Sequence, residues 1–155
     1  MKQEHVLNYS LTISLPRVRV FEFFADAANL ERITPPELQF SILTPLPIVM
    51  CQGALIDYRL KLFGIPFSWK TRITEWSPPV YFEDEQLEGP YQQWIHRHTF
   101  TECEDGRTII DDEVRFRLPS IPLGEAAFPI VRKQLERIFD YRQKTVKAIL
   151  SSGTI

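Results

Sequence analysis

Apolar side chains recur every three or four residues near the end of the chain, from Glu125 to Leu150. This spacing places them on one face of an α-helix, and the other face is charged. At roughly 1.5 Å per residue the predicted helix is about 40 Å long. The apolar positions are Phe128, Val131, Leu135, Ile138, Val146 and Ile149. Arg142 stands where the spacing asks for an apolar residue, so it is a candidate functional residue.

The part of the chain before this helix alternates apolar and polar residues, which is typical of strands with one buried face. The first strand is predicted over His5–Leu15. Two short helices are predicted next, one ending at Ala25 and one over Ala27–Ile33. The other strands are predicted over Leu38–Leu43, Gly53–Phe63, Phe67–Trp76, Val80–Leu87, Tyr91–Glu102 and Arg107–Leu118. Short turns in the second half indicate antiparallel neighbours.

This order of elements predicts an α+β fold with a single domain over residues 1–155. A curved antiparallel sheet of six to seven strands would surround the long C-terminal helix, and two short helices would follow strand 1. Because the helix needs a broad apolar surface, we expect it to lie against the sheet with a cavity between them.

Polar side chains occur on strand faces that are otherwise apolar. Trp94, His96, His98 and Phe100 share one face by alternation, as do Phe82, Asp84 and Gln86, and Asp112 shares an apolar face of the last strand. If these faces point inward, the polar groups enter the cavity. His98 and Asp112 are nearly equidistant from the turn at Asp105–Gly106, so they are predicted to pair. A satisfied core network, or histidines in solvent, are the alternatives.

Composition and charge exclude several classes of function. The net charge of -2 offers no basic field for nucleic acid. No apolar run could span a bilayer and no signal peptide is evident, so a cytoplasmic location with reduced Cys51 and Cys103 is expected. His96 and His98, with Asp112 or Asp84, are only a weak signal for a metal, and we predict neither a metal nor a cofactor.

Several stretches, together with the order of elements, resemble the helix-grip fold of the START / birch-pollen-allergen / polyketide-cyclase superfamily, often labelled SRPBCC. They are Phe21–Asp26 with Asn29–Leu30, Leu43–Pro47, Ile56–Tyr58, Asp84–Gln86 with Gly89–Tyr91, His96–Phe100, Asp112–Val114 and Arg137–Arg142. The resemblance covers almost the whole chain, and it is to the ligand-binding, cyclase/dehydrase-like branch. It implies a tunnel for an apolar or amphipathic small molecule, such as a lipid, a quinone or a polyketide-like compound.

A soluble, non-catalytic binding protein is the first expectation, with its oligomeric state left open. The alternatives are a cyclase/dehydrase- or hydrolase-type enzyme using His96, His98 and Asp112, and a protein-interaction module like the co-chaperones of this superfamily. The predicted ligand-binding residues are Tyr58, Trp69, Asp84, Gln86, Trp94, His96, His98, Phe100, Asp112, Ile138 and Arg142.

Overall fold

The computed structural model describes residues 3–152. Its seven strands form one antiparallel sheet in the order β1-β7-β6-β5-β4-β3-β2. The strands are β1 His5–Ile13, β2 Ser41–Ile42, β3 Leu55–Leu62, β4 Ile65–Ser77, β5 Tyr81–Glu88, β6 Gln93–Glu102 and β7 Thr108–Arg117. The helices are α1 Arg17–Ala25, α2 Asn29–Arg32 and α3 Phe128–Ser151. The predicted α+β helix-grip fold is confirmed.

Helix α3 begins at Phe128, three residues later than predicted, because Gly124–Ala127 forms a separate turn of 3-10 helix. Pro129 lies in the first turn of α3, where a missing backbone N–H costs nothing. The fully buried side chains of α3 are Leu135, Phe139, Val146 and Leu150. The apolar stripe predicted for this helix contained Ile138 and Ile149. In the structure their neighbours Phe139 and Leu150 are the more deeply buried residues.

The segment between α1 and β3 departs most from the prediction. The second short helix is a single turn, and the predicted strand Leu38–Leu43 is reduced to Ser41–Ile42. Pro36–Leu38 forms a turn of 3-10 helix, and Gln39 after it has a φ of 47°. A left-handed residue cannot continue a strand, so pairing with β3 starts only beyond it.

The hairpin between β3 and β4 is tighter than predicted. Leu62 pairs with Ile65, so the turn consists of Phe63 and Gly64 rather than Gly64–Pro66. Both residues have positive φ, 53° and 75°. Left-handed residues at both central positions are typical of the type I′ turn, which matches the twist of the strands.

The core between the sheet and α3 consists of two apolar clusters. One contains Trp69, Trp94, Phe116, Leu135 and Phe139, and the other contains Phe21, Phe23, Phe82, Phe100 and Val146. His96 meets the first cluster with its ring 5.5 Å from that of Phe139, and His98 stacks on Phe82 of the second at 4.2 Å. The two histidines thus lie where the clusters meet. Within residues 3–152, none of the helices combines the length and the apolar character needed to cross a bilayer.

Candidate functional site

A cavity of about 140 Å³ lies between the concave face of the sheet and α3. The helical segments and the segment before β3 contribute Phe24, Ala27, Leu30, Ile33, Thr34, Leu38, Phe40, Met50, Leu135, Ile138, Phe139 and Arg142. The sheet contributes Ile56, Tyr58, Leu60, Leu62, Trp69, Thr71, Ile73, Phe82, Asp84, Tyr91, Trp94, His96 and His98. Most of these side chains are apolar, so the few charged or ionisable ones stand in an environment that strengthens electrostatic interactions.

Eight of the predicted site residues line this cavity: Tyr58, Trp69, Asp84, Trp94, His96, His98, Ile138 and Arg142. They come from β3, β4, β5, β6 and α3, and the strand residues among them occupy alternating positions that face the helix. The orientation of the two histidines, which the sequence leaves open, is inward, since His96 is 4% and His98 is 5% exposed.

The other three predicted residues lie outside the cavity lining. Gln86 donates from Nε2 to the Tyr91 carbonyl at 2.7 Å and accepts at Oε1 from the Tyr91 N–H at 3.1 Å, so it holds the turn between β5 and β6. Phe100 is buried in the second apolar cluster, next to Phe24. Asp112 lies on β7 and touches both histidines of β6 without lining the cavity.

A chain of carboxylates and imidazoles crosses three adjacent strands at the cavity wall. Asp84 Oδ2 lies 3.1 Å from His98 Nε2, and His98 Nδ1 lies 3.1 Å from Asp112 Oδ1. The same Asp112 oxygen accepts a hydrogen bond from His96 Nε2 at 2.8 Å. The register explains the set, because His98 lies directly opposite Asp112 and His96 directly opposite Asp84. The contact between His98 Nδ1 and Asp112 is poorly aligned for a hydrogen bond and is chiefly electrostatic.

The two histidines hold their protons differently. Burial lowers the pKa of His98, but the contacts with Asp112 and Asp84 outweigh burial and raise it above the usual value. Burial, followed by the nearby charge of His98, lowers the pKa of His96 more than Asp112 raises it. Burial also raises the pKa of the Asp112 carboxyl, yet both histidines together hold it well below its usual range. Of the two rings, His98 therefore holds its proton to the higher pH, and His96 loses its proton first.

A neutral His96 that donates from Nε2 to Asp112 has Nδ1 as its acceptor nitrogen. Among residues 3–152, no hydrogen bond reaches this Nδ1. Because His96 lines the cavity, it can accept a proton or a hydrogen bond from a molecule bound there. Asp112 fixes the tautomer and the orientation of the ring, as a carboxylate behind a histidine does in many sites.

Asp84, His96 and His98 also offer three ligand atoms that lie within 4.8 Å of one another. Two histidines and a carboxylate are a donor set that divalent transition metals accept. A metal would, however, require His98 to release its proton and to leave its contact with Asp84. The existing contacts already engage all three residues, since Asp84 contacts His98 and His96 donates to Asp112.

Arg142 is the second kind of polar group in the cavity. Its guanidinium carbon lies 5.1 Å from the centre of the Phe139 ring, and its Nε is buried without an acceptor. Among residues 3–152 it forms no ion pair. It is paired with neither Asp112 nor Asp84. Both carboxylates are held by the histidines instead.

Sequence reasoning missed several of the lining residues. Phe139 was absent from the predicted stripe although it touches both His96 and Arg142. Phe24 and Leu30 were assigned to short helices with no stated role, and Met50 was placed in an irregular loop. Their apolar character was visible in the sequence, but nothing local shows that these segments fold over the open side of the sheet.

The chain matches the model of a protein family described as "Polyketide cyclase / dehydrase and lipid transport" over residues 13–139. This range contains β2 to β7 and the first half of α3, so it includes Asp84, His96, His98 and Asp112 but ends before Arg142. No curated protein matches the chain.

Solved structures with the same architecture include the Zhui aromatase/cyclase from Streptomyces sp. R1128, which is 17% identical with a TM-score of 0.78 and covers 99% of this chain and 97% of that one. A protein from Thermus thermophilus is 13% identical with a TM-score of 0.78, covering 97% and 100%. A START superfamily protein from Mycobacterium smegmatis is 10% identical with a TM-score of 0.72, covering 96% and 98%. At these identities the likeness concerns the fold.

Proposed function

Since the chain belongs to the family of polyketide cyclases / dehydrases and lipid transport proteins, we propose that it binds a small apolar or amphipathic molecule in the cavity between the sheet and α3. The apolar part of the ligand packs against the aromatic and aliphatic walls. Its polar end lies at His96, whose Nδ1 accepts a hydrogen bond from a hydroxyl or amide group.

The observation that carries this proposal is the free Nδ1 of His96 in an otherwise apolar cavity. An acceptor that faces the cavity and has no protein partner is available to a ligand donor, and a hydrogen bond of this kind contributes on the order of 0.5–1.5 kcal/mol. The Asp112 hydrogen bond at 2.8 Å keeps the ring in place. An interior that retains such a cavity also supports ligand binding over a protein-interaction module, which was expected to have a packed interior.

The volume of the cavity limits the size of the ligand. About 140 Å³ is less than the roughly 300–1,000 Å³ typical of pockets for drug-sized ligands. It is close to the roughly 150 Å³ of an engineered apolar cavity that binds benzene. A compact ligand with one ring therefore fits without movement of the walls, whereas a long lipid or a multi-ring polyketide would require α3 or the segment before β3 to move.

Toluene and p-cresol test the proposal by isothermal titration calorimetry, because they differ by one hydroxyl group. We expect both to bind at one site, with p-cresol tighter. His96→Phe removes the acceptor and keeps an aromatic ring. It should therefore lower the affinity for p-cresol by roughly 10-fold, as expected for one hydrogen bond, and leave the affinity for toluene nearly unchanged.

His5→Phe is the matched control, since His5 is also buried but lies against Phe128 and Glu125 outside the cavity. It should leave both affinities unchanged. Failure of both probes to bind the wild-type protein would exclude an accessible cavity. If His96→Phe lowered the affinities for toluene and p-cresol equally, the His96 ring would only maintain the shape of the cavity.

A second candidate function is general-base catalysis in the same cavity, which the Asp112–His96 pair favours. In such pairs the carboxylate orients the imidazole, and the far nitrogen takes a proton from the substrate. The corresponding reaction is dehydration of a β-hydroxy ketone. His96 Nδ1 takes the α-proton, the C–H electrons form the C=C bond, and the C–O bond breaks with its electrons on oxygen. The same proton then passes from His96 Nδ1 to the departing hydroxide, which leaves as water and returns His96 to its neutral form.

The test substrate is 4-hydroxy-4-phenyl-2-butanone, whose conjugated product is followed by ultraviolet absorbance. Catalysis predicts a rate above that of buffer which falls at least 100-fold in His96→Phe, within the range assigned to general acid–base groups. No acceleration by the wild-type protein would leave binding as the only function proposed for this site.

A further inference from the structure

We propose that the ligand of this cavity carries a carboxylate, and that Arg142 of α3 is the residue that binds it. This inference rests on the proposed binding function and specifies the class of ligand. Two observations support it. Arg142 lines an apolar cavity without a counter-ion among residues 3–152, and the neighbouring carboxylates of Asp84 and Asp112 are already paired with histidines.

Arg142 is half-buried and lines the cavity, unlike the exposed Arg132 and Arg137 of the same helix. It lies on the face of α3 that packs against the sheet, one turn before the buried Val146 and three residues after the buried Phe139. Its guanidinium carbon lies 5.1 Å from the centre of the Phe139 ring, whose own exposure is 1%. Its Nε is buried and has no acceptor.

The other arginines of α3 show how such a side chain is satisfied in this helix. Arg132 Nε donates to Glu136 Oε1 at 3.0 Å, and Arg137 Nε donates to Glu37 Oε1 at 3.1 Å. Arg142 has no equivalent carboxylate within residues 3–152. A guanidinium presents a planar set of donors that matches two carboxylate oxygens, so the missing partner has a defined chemistry.

The two carboxylates that contact His96 and His98 do not fill this role. Asp112 Oδ1 is shared by His96 and His98, and Asp84 Oδ2 faces His98 at 3.1 Å. Each is already paired with an imidazole, and neither lies within ion-pair distance of Arg142. The guanidinium of Arg142 is therefore available to a carboxylate of a bound ligand.

A second buried donor points to the same ligand chemistry. Trp69 lines the cavity as well, and its indole Nε1 is buried without an acceptor. Indole and guanidinium groups only donate hydrogen bonds, so a ligand acceptor is the kind of group that satisfies either of them. A carboxylate is such a group, and a compact aromatic carboxylate combines it with the apolar body that the volume of about 140 Å³ admits.

His96 and Arg142 both contact Phe139, which places the neutral acceptor and the cation around one ring. A ligand bound against Phe139 can therefore present its carboxylate to Arg142 and a hydroxyl to His96. Hydroxylated aromatic monocarboxylates meet both requirements.

Benzoate and benzamide are the probes for this inference, because they share size and shape and differ in charge. We expect the wild-type protein to bind benzoate at least 10-fold more tightly than benzamide in calorimetric titrations. Arg142→Met keeps an unbranched apolar stem and removes the charge. It should lower the affinity for benzoate by about 10- to 100-fold, the range for hydrogen bonds to charged groups. The affinity for benzamide should change by less than about 3-fold.

Arg142→Lys should recover part of the benzoate affinity, since it restores the charge but not the planar donor geometry. Arg132→Met removes an exposed arginine of the same helix and should leave both affinities unchanged. Thermal melting of each variant separates loss of binding from loss of folding.

The inference is overturned if benzoate binds no more tightly than benzamide, or if Arg142→Met leaves their ratio unchanged. In either case binding of toluene or p-cresol would still support the proposed function. If none of these probes binds the wild-type protein, the proposed function itself is excluded, and this inference with it.

Discussion

Asp112 is the residue that joins the two histidines of the cavity wall. Its Oδ1 contacts both His96 and His98, and its side chain is only 8% exposed. A buried carboxylate of this kind is stable only because its partners compensate for the lost hydration. The cost of removing it should therefore appear in the stability of the whole protein.

Asp112→Asn should reduce the free energy of unfolding by about 1–3 kcal/mol at pH 7, because His98 loses one of its two neighbouring charges and the remaining groups stay buried. Urea denaturation followed by tryptophan fluorescence measures this change. Asp111→Asn is the matched control, since Asp111 is exposed on the opposite face of the same strand. Similar midpoints for both variants would show that the Asp112 contacts contribute no stability.

The same carboxylate should make stability depend on pH. The pKa of Asp112 is lower in the folded protein than its usual 3.8. A lowered carboxyl pKa gives stability that is present above 3.8 and is lost as the pH falls below that value towards the folded pKa. The difference between wild type and Asp112→Asn, measured by urea denaturation, should therefore be largest near pH 7 and decrease below pH 3.8.

Near neutral pH the two histidines act in opposite directions. His98, with its raised pKa, loses its contribution as the pH rises, whereas His96, with its lowered pKa, loses its contribution as the pH falls. If the difference in unfolding free energy between wild type and Asp112→Asn grew below pH 3.8, the lowered pKa of Asp112 would be contradicted.

The strands that carry the site were predictable because each has one buried face. Alternation placed His96 and His98 together, and the short turn at Asp105–Gly106 set the register that puts His98 opposite Asp112. The choice of partners within that register was not predictable. Side chains reach diagonally as well as directly across a ladder, and so Asp112 hydrogen-bonds to His96 while Asp84 contacts His98.

The helices were less predictable than the strands. An α-helix rotates by roughly 100° per residue, so neighbours such as Ile138 and Phe139 both fall near the edge of one apolar stripe. Only packing against the sheet decides that Phe139 is buried and central to the cavity. The segment from Pro35 to Gly53 was the least predictable. Its prolines and the left-handed Gln39 form turns, and turns have no apolar/polar periodicity from which an element can be predicted.

The β3–β4 hairpin provides a prediction at the level of a single turn. Phe63 is 57% exposed and has a left-handed backbone, which asparagine adopts more easily than phenylalanine. Phe63→Asn creates the Asn-Gly pair preferred in type I′ turns. We expect it to stabilise the protein by about 0.5–1 kcal/mol, a fraction of the roughly 1–2 kcal/mol that a left-handed backbone costs an ordinary residue.

Thermal or urea unfolding of Phe63→Asn checks this prediction. Val49→Asn is the control, because it removes an exposed apolar side chain from a residue with an ordinary backbone. A gain in stability in both variants would assign the effect to the removal of an exposed apolar side chain. A loss in Phe63→Asn would show that the phenyl ring itself stabilises the hairpin.

At the scale of the whole molecule, the sheet order places the site in its most constrained part. Strands β5, β6 and β7 each have neighbours on both sides, whereas β1 and β2 are the edges. Amide hydrogen exchange should accordingly be slowest in β6, β7 and the middle of α3, and fastest in β2. Exchange of β6 as fast as that of β2 would mean that the cavity wall opens independently of the rest of the sheet.

The pairing of β1 with β7 has a consequence for the order in which the protein can be built. His5 lies opposite Phe116, so the first strand made by the ribosome has its partner near the far end of the chain. Sheets that depend on pairings between such distant residues fold slowly, since a long loop must close before the contact forms. During synthesis β1 must wait, with its apolar face uncovered, until β7 and then α3 leave the exit tunnel. The cavity is therefore completed only after α3 has been made, and a ligand can be enclosed in it only from that moment on.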